Sequence, residues 1–132
     1  MSQALPEPAK ALLDAREFVT LATLEPDGQP QLSVLWVKRD GNDVLMSTVA
    51  GRRKQRNLAR EPRATVLLYP IGNPYNYLEV RGSVTMTEEG GRELIDELYE
   101  KYQDRPGPYP GDGPDDVRVV IRLAPEHVVF RS

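Results

Sequence analysis

An antiparallel β-barrel with helices at its rim, mainly β and built from six or seven short strands, is the architecture this 132-residue sequence predicts. Three observations carry it. Short runs of β-branched and apolar residues recur along the chain, tight turn signals separate them, and only one helical segment interrupts them before a second follows. Strands joined by such short turns pair antiparallel, because parallel neighbours need crossovers of about a dozen residues or more.

Residues 5–16 read as a short helix, with Pro6 and Pro8 near its start and Leu12 and Leu13 on its apolar side. Phe18 to Leu24 follows as a strand and stops at the turn signal Pro26-Asp27-Gly28. Gln31 to Lys38 predicts a second strand ending at Asp40-Gly41-Asn42, and Val44 to Thr48 a third, the three forming a meander. A helix from about Gly51 to Arg60 comes next, with Leu58 and Ala59 as its packing residues, and Pro62 ends it. Ala64 to Tyr69 is a fourth strand, and the turn region Pro70 to Pro74 leads to a fifth. In that strand Leu78, Val80, Val84 and Met86 share one face, while Tyr77, Glu79, Arg81, Ser83 and Thr85 share the other. Residues 88–103 predict an amphipathic helix, with Leu94, Ile95, Leu98, Tyr99 and Tyr102 at helical spacing and Thr85 or Thr87 as its cap. Both tyrosines are expected in the core. A loop at 104–116 holds four prolines and three glycines. Val117 to Leu123 and Val128 to Arg131 close the chain as two strands separated by Ala124-Pro125-Glu126.

The length suits one domain, residues 1–132, with a single core. Cysteine is absent, which removes disulfides, thiolate catalysis and cysteine-bound metals. No stretch reaches the ~20 apolar residues that span a bilayer, and Met1-Ser2-Gln3-Ala4 lacks the basic-then-apolar run of a secretory signal. The expected compartment is the cytoplasm, with no membrane partner. A pI near 5.2 argues against a nucleic-acid binder, whose footprint is basic across a whole face. There is no Walker lysine loop and no dinucleotide glycine fingerprint. The single histidine, His127, reads as a surface or interface residue, and Asp112, Asp115 and Asp116 lack the spacing of a calcium loop, so no metal is expected.

One segment stands out. Arg52, Arg53, Lys54 and Arg56 follow Gly51 at a helix N-terminus, which favours anions and disfavours cations. Glu61 is the only counter-charge nearby in sequence, and the chain as a whole is net −3, so the basic charge is local. A bound phosphate or carboxylate would resolve the conflict; a solvated basic helix is the alternative. The Pro/Gly loop, with Tyr109 at its tip, reads as a pocket cover or a connector. Trp36 is either a wall for a planar ring or a core residue. With no acid–base pair, nucleophile or metal in evidence, any catalysis falls to a cofactor that the protein binds and orients.

Phe18-Val19-Thr20-Leu21-Ala22-Thr23-Leu24 with Pro26-Asp27-Gly28-Gln29-Pro30 resembles the opening hairpin of the pyridoxamine 5′-phosphate oxidase-like, FMN-binding split β-barrels. Ser47-Thr48-Val49-Ala50-Gly51-Arg52-Arg53-Lys54, then Arg56-Asn57-Leu58 and Glu61-Pro62-Arg63, is similar to their phosphate-binding strand–helix segment. Tyr77-Leu78-Glu79-Val80-Arg81-Gly82 resembles a later strand. The likeness covers residues 10 to 131 and is closest to the branch that uses the deazaflavin coenzyme F420. It implies a homodimeric split barrel and an oxidoreductase that transfers hydride from F420 to a small unsaturated or quinone-like molecule. FMN is the alternative cofactor, and a non-catalytic flavin- or deazaflavin-binding protein the alternative role. By the same resemblance, Gln31, Ser33, Val34, Leu35 and Trp36 run beside the ring, and Ser47 and Thr48 meet the ribityl chain or phosphate. Arg52, Arg53 and Lys54 bind the phosphate, with Asn57 as helper, and Tyr77 reaches across from the second subunit. The polar face of the fifth strand suits the dimer interface. The chain lacks the C-terminal segment with which true pyridoxamine phosphate oxidases grip the substrate phosphate, so that substrate is not expected.

Overall fold

The computed structural model describes residues 3–132; Met1 and Ser2, part of the predicted N-terminal segment, lie outside the described residues. In chain order the elements are α1 (Glu7–Asp14), β1 (Val19–Leu24), β2 (Pro30–Leu35), β3 (Lys38–Asp40), β4 (Asp43–Val49), α2 (Arg53–Arg60), β5 (Arg63–Leu68), β6 (Leu78–Thr87), α3 (Gly91–Gln103) and β7 (Arg118–Phe130). All seven strands form one antiparallel sheet in the order β2-β1-β5-β6-β7-β4-β3.

That order dictates the shape. β2 and β3 occupy the two edges, yet only Trp36 and Val37 separate them. A flat sheet of seven strands would place its edges roughly 29 Å apart, whereas a two-residue linker reaches about 10 Å. The sheet therefore curls until its edges meet without hydrogen-bonding to each other, which is a split barrel. The inward alternation of the strands fills it: Val19, Leu21, Val44, Met46, Val66, Leu68, Leu78, Val80, Ile121 and Leu123 are all buried in one cluster. α1 closes one end with Ala9 and Leu13, joined by Leu5 just before it. On the outer side of β4 and β7, α3 buries Leu94 and Leu98 against Leu45 and Val120, with Trp36 and Tyr102 packed alongside.

The closing linker is held by the last turns of α3. The Val37 N–H donates to the Tyr102 hydroxyl at 3.1 Å, and the Lys101 ammonium donates to the Val37 carbonyl at 2.7 Å and to the Leu13 carbonyl at 2.8 Å. Tyr102 in turn donates to the Glu17 carbonyl, and its ring stacks on Trp36 at 5.3 Å and 8°. Burial pushes the Tyr102 phenol above its ordinary value, although the bond to Val37 opposes this, so the hydroxyl keeps its proton.

Several expectations are corrected. The predicted second strand, Gln31 to Lys38, is two strands, because the chain crosses from one sheet edge to the other at Trp36-Val37. The three-strand meander fails for the same reason: β4 pairs with β3 and β7 and never meets β2. The two C-terminal strands are one. Ala124-Pro125-Glu126 passes through as a bulge, with the register slipping between Arg81↔His127 and Gly82↔Pro125. A bulge tolerates the missing proline N–H, and Gly82 admits the Ala124 carbonyl where a Cβ would collide with it. Thr85 and Thr87 do not cap α3, since both remain in β6; the helix starts after Gly90, whose φ of +80° turns the chain out of the strand. Finally, α2 packs through Leu58 and the polar Asn57, while Ala59 is exposed.

The sheet's outer face carries a continuous row. Val34 pairs with Thr20, Thr20 with Leu67, Leu67 with Glu79 and Glu79 with Val129, so all five side chains project outward together. Its β2–β1–β5 end is apolar and uncovered, with Leu32 62% and Val34 67% exposed and Phe18, Leu67, Tyr69 and Ile71 beside them.

Tyr102→Phe removes the hydroxyl that serves both Val37 and Glu17. Urea denaturation is expected to show a loss of about 1–3 kcal/mol, the cost of leaving a buried backbone donor unpaired.

Candidate functional site

Ser47 on β4, the turn at Gly51 and the first turn of α2 line up along the seam between the two halves of the barrel. Gly51 has φ +92°, a conformation that costs glycine least, and its N–H donates to Gln55 Oε1 at 2.9 Å. Arg52 is the N-cap of α2, no side chain caps the helix, and its first turn holds no acid. The helix is fastened instead by a polar chain. Asn57, 3% exposed, donates to Thr23 Oγ1 at 3.1 Å and to Glu25 Oε2 at 2.9 Å. Thr23 donates to Gln31 Oε1 at 2.9 Å, and Glu25 also pairs with Arg53 at 3.1 Å. Arg60 bonds to the Leu24 carbonyl and to Asn57. The counter-charge for the basic helix thus comes from Glu25, across the barrel seam, while Glu61 pairs with Arg63.

These anchors set which cations face inward. A cavity of about 260 Å³ is lined by Arg52 and Lys54 from the α2 junction, Ser47 from β4, and Val34, Leu35 and Trp36 at the end of β2. Phe18, Ile95 and Leu98, with Tyr109 from the Pro/Gly loop and Arg118 from β7, complete its wall. Burial, reinforced by the charges of Arg52 and Arg118, holds the Lys54 ammonium below its ordinary pKa. Three cations therefore meet at one cavity, and an anion placed there relieves their mutual repulsion. The remaining walls are aromatic and aliphatic. Trp36 has one face taken by Tyr102, and Tyr109 stands edge-on to it at 6.2 Å and 87°.

The Pro/Gly loop is tied down over this cavity. Asp96 Oδ1 accepts the Tyr109 N–H at 2.8 Å, the Tyr109 carbonyl accepts from Arg92 at 2.9 Å, and the Tyr109 ring also meets Tyr99 edge-on at 5.7 Å. Asp112 bridges Arg118 and Arg92, both at 2.7 Å. The Arg118 hydrogen bonds hold its carboxyl below the ordinary range against the opposing effect of burial, with the Arg118 and Arg92 charges adding to the shift. Asp116 accepts the Gly113 N–H, and among the described residues no group of acids or His is placed to hold a metal.

Of the residues singled out from the sequence, the structure gathers Val34, Leu35, Trp36, Ser47, Arg52 and Lys54 at the cavity. Arg53, Asn57 and Gln31 belong to the polar chain that anchors α2. Thr48 alternates away from Ser47 to the barrel interior, and Ser33 lies opposite the buried Leu21; both hydroxyls are buried without a partner among the described residues. Tyr77 precedes β6 on the outer face, away from this cavity, and His127 is exposed. Two cavity residues carry no local signal of a site. Phe18 reads as a strand opener, and Arg118 as one charge in an apolar run; an acid six positions before it, Asp112, is the only hint.

The sequence matches the pyridoxamine 5′-phosphate oxidase family over residues 5–132. Its fold is similar to that of an F420 reductase, with 31% identity, a TM-score of 0.82 and coverage of 95% of this chain and 98% of that one. A conserved hypothetical protein of Mycobacterium tuberculosis is 25% identical with a TM-score of 0.77, covering 96% and 84% of the two chains. A pyridoxamine 5′-phosphate oxidase-related, FMN-binding protein of Nostoc punctiforme shares the fold at 19% identity and a TM-score of 0.61, covering 89% and 74%.

The Asp112–Arg118 pair makes a pH prediction. Because the folded-state carboxyl lies below its unfolded value of about 3.9, its contribution is complete above that value and is lost as pH falls through the lower, folded one. The Tm difference between wild type and Asp112→Asn is expected to stay constant at neutral pH and to shrink only in that acid window, read by thermal scans across pH.

Proposed function

This chain belongs to the pyridoxamine 5′-phosphate oxidase family, and on that premise we propose that it is an oxidoreductase of the cytoplasm that binds coenzyme F420. The observation that carries the reading is the convergence of Arg52 and Lys54, with Ser47 beside them, on a cavity whose walls include Phe18, Trp36 and Tyr109. Cations and a hydroxyl suit a phosphoryl group, and flat apolar walls suit a fused ring. Similarity to an F420 reductase at 31% identity supports F420 over FMN.

In this reading Lys54 and Arg52 hold the phosphate, Ser47 donates to it, and the backbone at 33–35 lies along the ring edge. When bound, reduced F420 supplies a hydride. Phe18, Ile95, Leu98 and Tyr109 exclude water and position a small unsaturated or quinone-like substrate against the ring, so that placement accounts for most of the rate.

The working form in this proposal is a homodimer. A cavity of about 260 Å³ falls below the roughly 300–1,000 Å³ usual for such ligands, so one protomer encloses only part of a cofactor. Phe18 and Val34 belong both to the cavity and to the uncovered apolar face, which places the site at the edge of that face. A second copy seated there covers Leu32, Val34 and Leu67, meets the polar continuation at Glu79 and Arg81, and brings Tyr77 toward the neighbouring site.

Titrating purified protein into F420 and, in parallel, FMN tests the cofactor: quenching of F420 fluorescence is expected, and saturable binding of FMN alone would transfer the reading to a flavoprotein. Lys54→Gln is expected to weaken F420 binding about tenfold or more, as loss of a charge-assisted bond does. Val34→Glu, which inserts a charge into the outer face, is expected to sediment as a monomer and to bind F420 poorly. A wild-type monomer with full affinity would refute the shared site.

A further inference from the structure

Arg118 is the cavity's one cation that does not come from the strand–helix junction. It opens β7, is 8% exposed, and shares the cavity with Arg52 and Lys54. A guanidinium carries five N–H donors in a rigid fork. Asp112 accepts from Nε at 2.9 Å and from Nη2 at 2.7 Å, which occupies the side-on edge. Ser47 Oγ accepts one long bond from Nη1 at 3.3 Å. Among the described residues, one N–H on Nη1 and one on Nη2 are left without a partner, beside the cavity-lining Ser47. The Tyr109 ring covers the guanidinium, its centroid 5.0 Å from Cζ. Arg92 holds Asp112 from the other side at 2.7 Å. A fork with one edge clamped by a buried carboxylate, one face covered by an aromatic ring and two N–H groups left over is rigidly aimed before any ligand arrives.

Charge adds a second argument. Arg52, Lys54 and Arg118 face the cavity against the single carboxylate of Asp112, which leaves a surplus of two positive charges. Burial and the other two cations already disfavour the charged form of Lys54. A monoanion leaves part of that repulsion uncompensated; a ligand with two negative charges at this end removes it.

We infer that Arg118 is a second anion-binding corner, oriented by Asp112, which selects ligands carrying two negative charges at the cationic end of the cavity. This inference rests on the cofactor reading above and extends it. The chemistry recognised is a phosphate dianion, or a phosphodiester with a carboxylate close by.

The test uses two small probes at matched ionic strength and pH 8, inorganic phosphate as dianion and dimethyl phosphate as monoanion, titrated into 15N-labelled protein and followed by NMR. Wild type is expected to prefer phosphate about tenfold, and Arg118→Gln to lose most of that preference while binding dimethyl phosphate nearly as before. Arg16→Gln, whose guanidinium pairs with the exposed Asp104 and does not line the cavity, is expected to change neither. Since a lone substitution leaves Asp112 buried without its partner, Asp112→Asn/Arg118→Gln keeps a neutral hydrogen-bonding pair and the same charge surplus; loss of the preference there is expected and assigns it to the Arg118 donors, and its retention overturns the inference. Equal affinities for both probes in wild type, or equal losses for both in the variants, overturn the inference. The two readings fail separately. Phosphate selectivity in a protein that ignores F420 retains the Arg118 corner and removes the deazaflavin, and F420 binding indifferent to Arg118→Gln does the reverse.

Discussion

Two residues carry this chain from one edge of a seven-stranded sheet to the other, and that constraint governs everything else. Because Trp36 and Val37 cannot span a flat sheet, the strands must curl, and the barrel core, the seam and the cavity beside the seam all follow. A linker at such a junction leaves backbone groups outside the ladder. Tyr102 and Lys101 take them up for Val37, and Trp36 is clamped between that tyrosine and the loop's Tyr109. The residue that closes the barrel is thus next to one that lines the cavity, which ties the cavity's shape to the stability of the closure.

The basic helix follows the same logic of displaced partners. With one buried leucine, α2 has little apolar packing, so its position depends on Asn57 reaching Thr23 and Glu25 on the first hairpin. Burying that amide is tolerable because both of its N–H groups find acceptors. Arg53 neutralises Glu25 on the outside, and the helix is left with Lys54 and Arg52 turned into the cavity. Cations at a helix N-terminus are unfavourable on their own; here Arg53 is paired across the seam, and Arg52 and Lys54 concentrate positive charge at the cavity.

The Pro/Gly loop is a wall with many anchors. Asp96, Arg92 and Arg118 each bind it, and its only aromatic, Tyr109, bridges Tyr99, Trp36 and the Arg118 guanidinium. Such a loop narrows the cavity and fixes the direction of the arginine beneath it, linking the positive charge at one end to the aromatic surface at the other.

Much of this was legible in the residues themselves. Alternation along β6 told its two faces apart, helical spacing identified α3, and the run from Ser47 to Lys54 marked where positive charge is concentrated, because these signals depend on neighbours a few positions away. What distant parts of the chain settle among themselves was not legible. The break at Trp36, the fusion across Pro125, the use of Asn57 and Arg53 as struts, and the recruitment of Arg118 and Phe18 all arise from contacts between residues tens of positions apart. Local pattern determines which segments are strands or helices and where charge is concentrated. Closing the barrel decides which of those charges are neutralised and which face the cavity, since that depends on distances through space that no local spacing encodes.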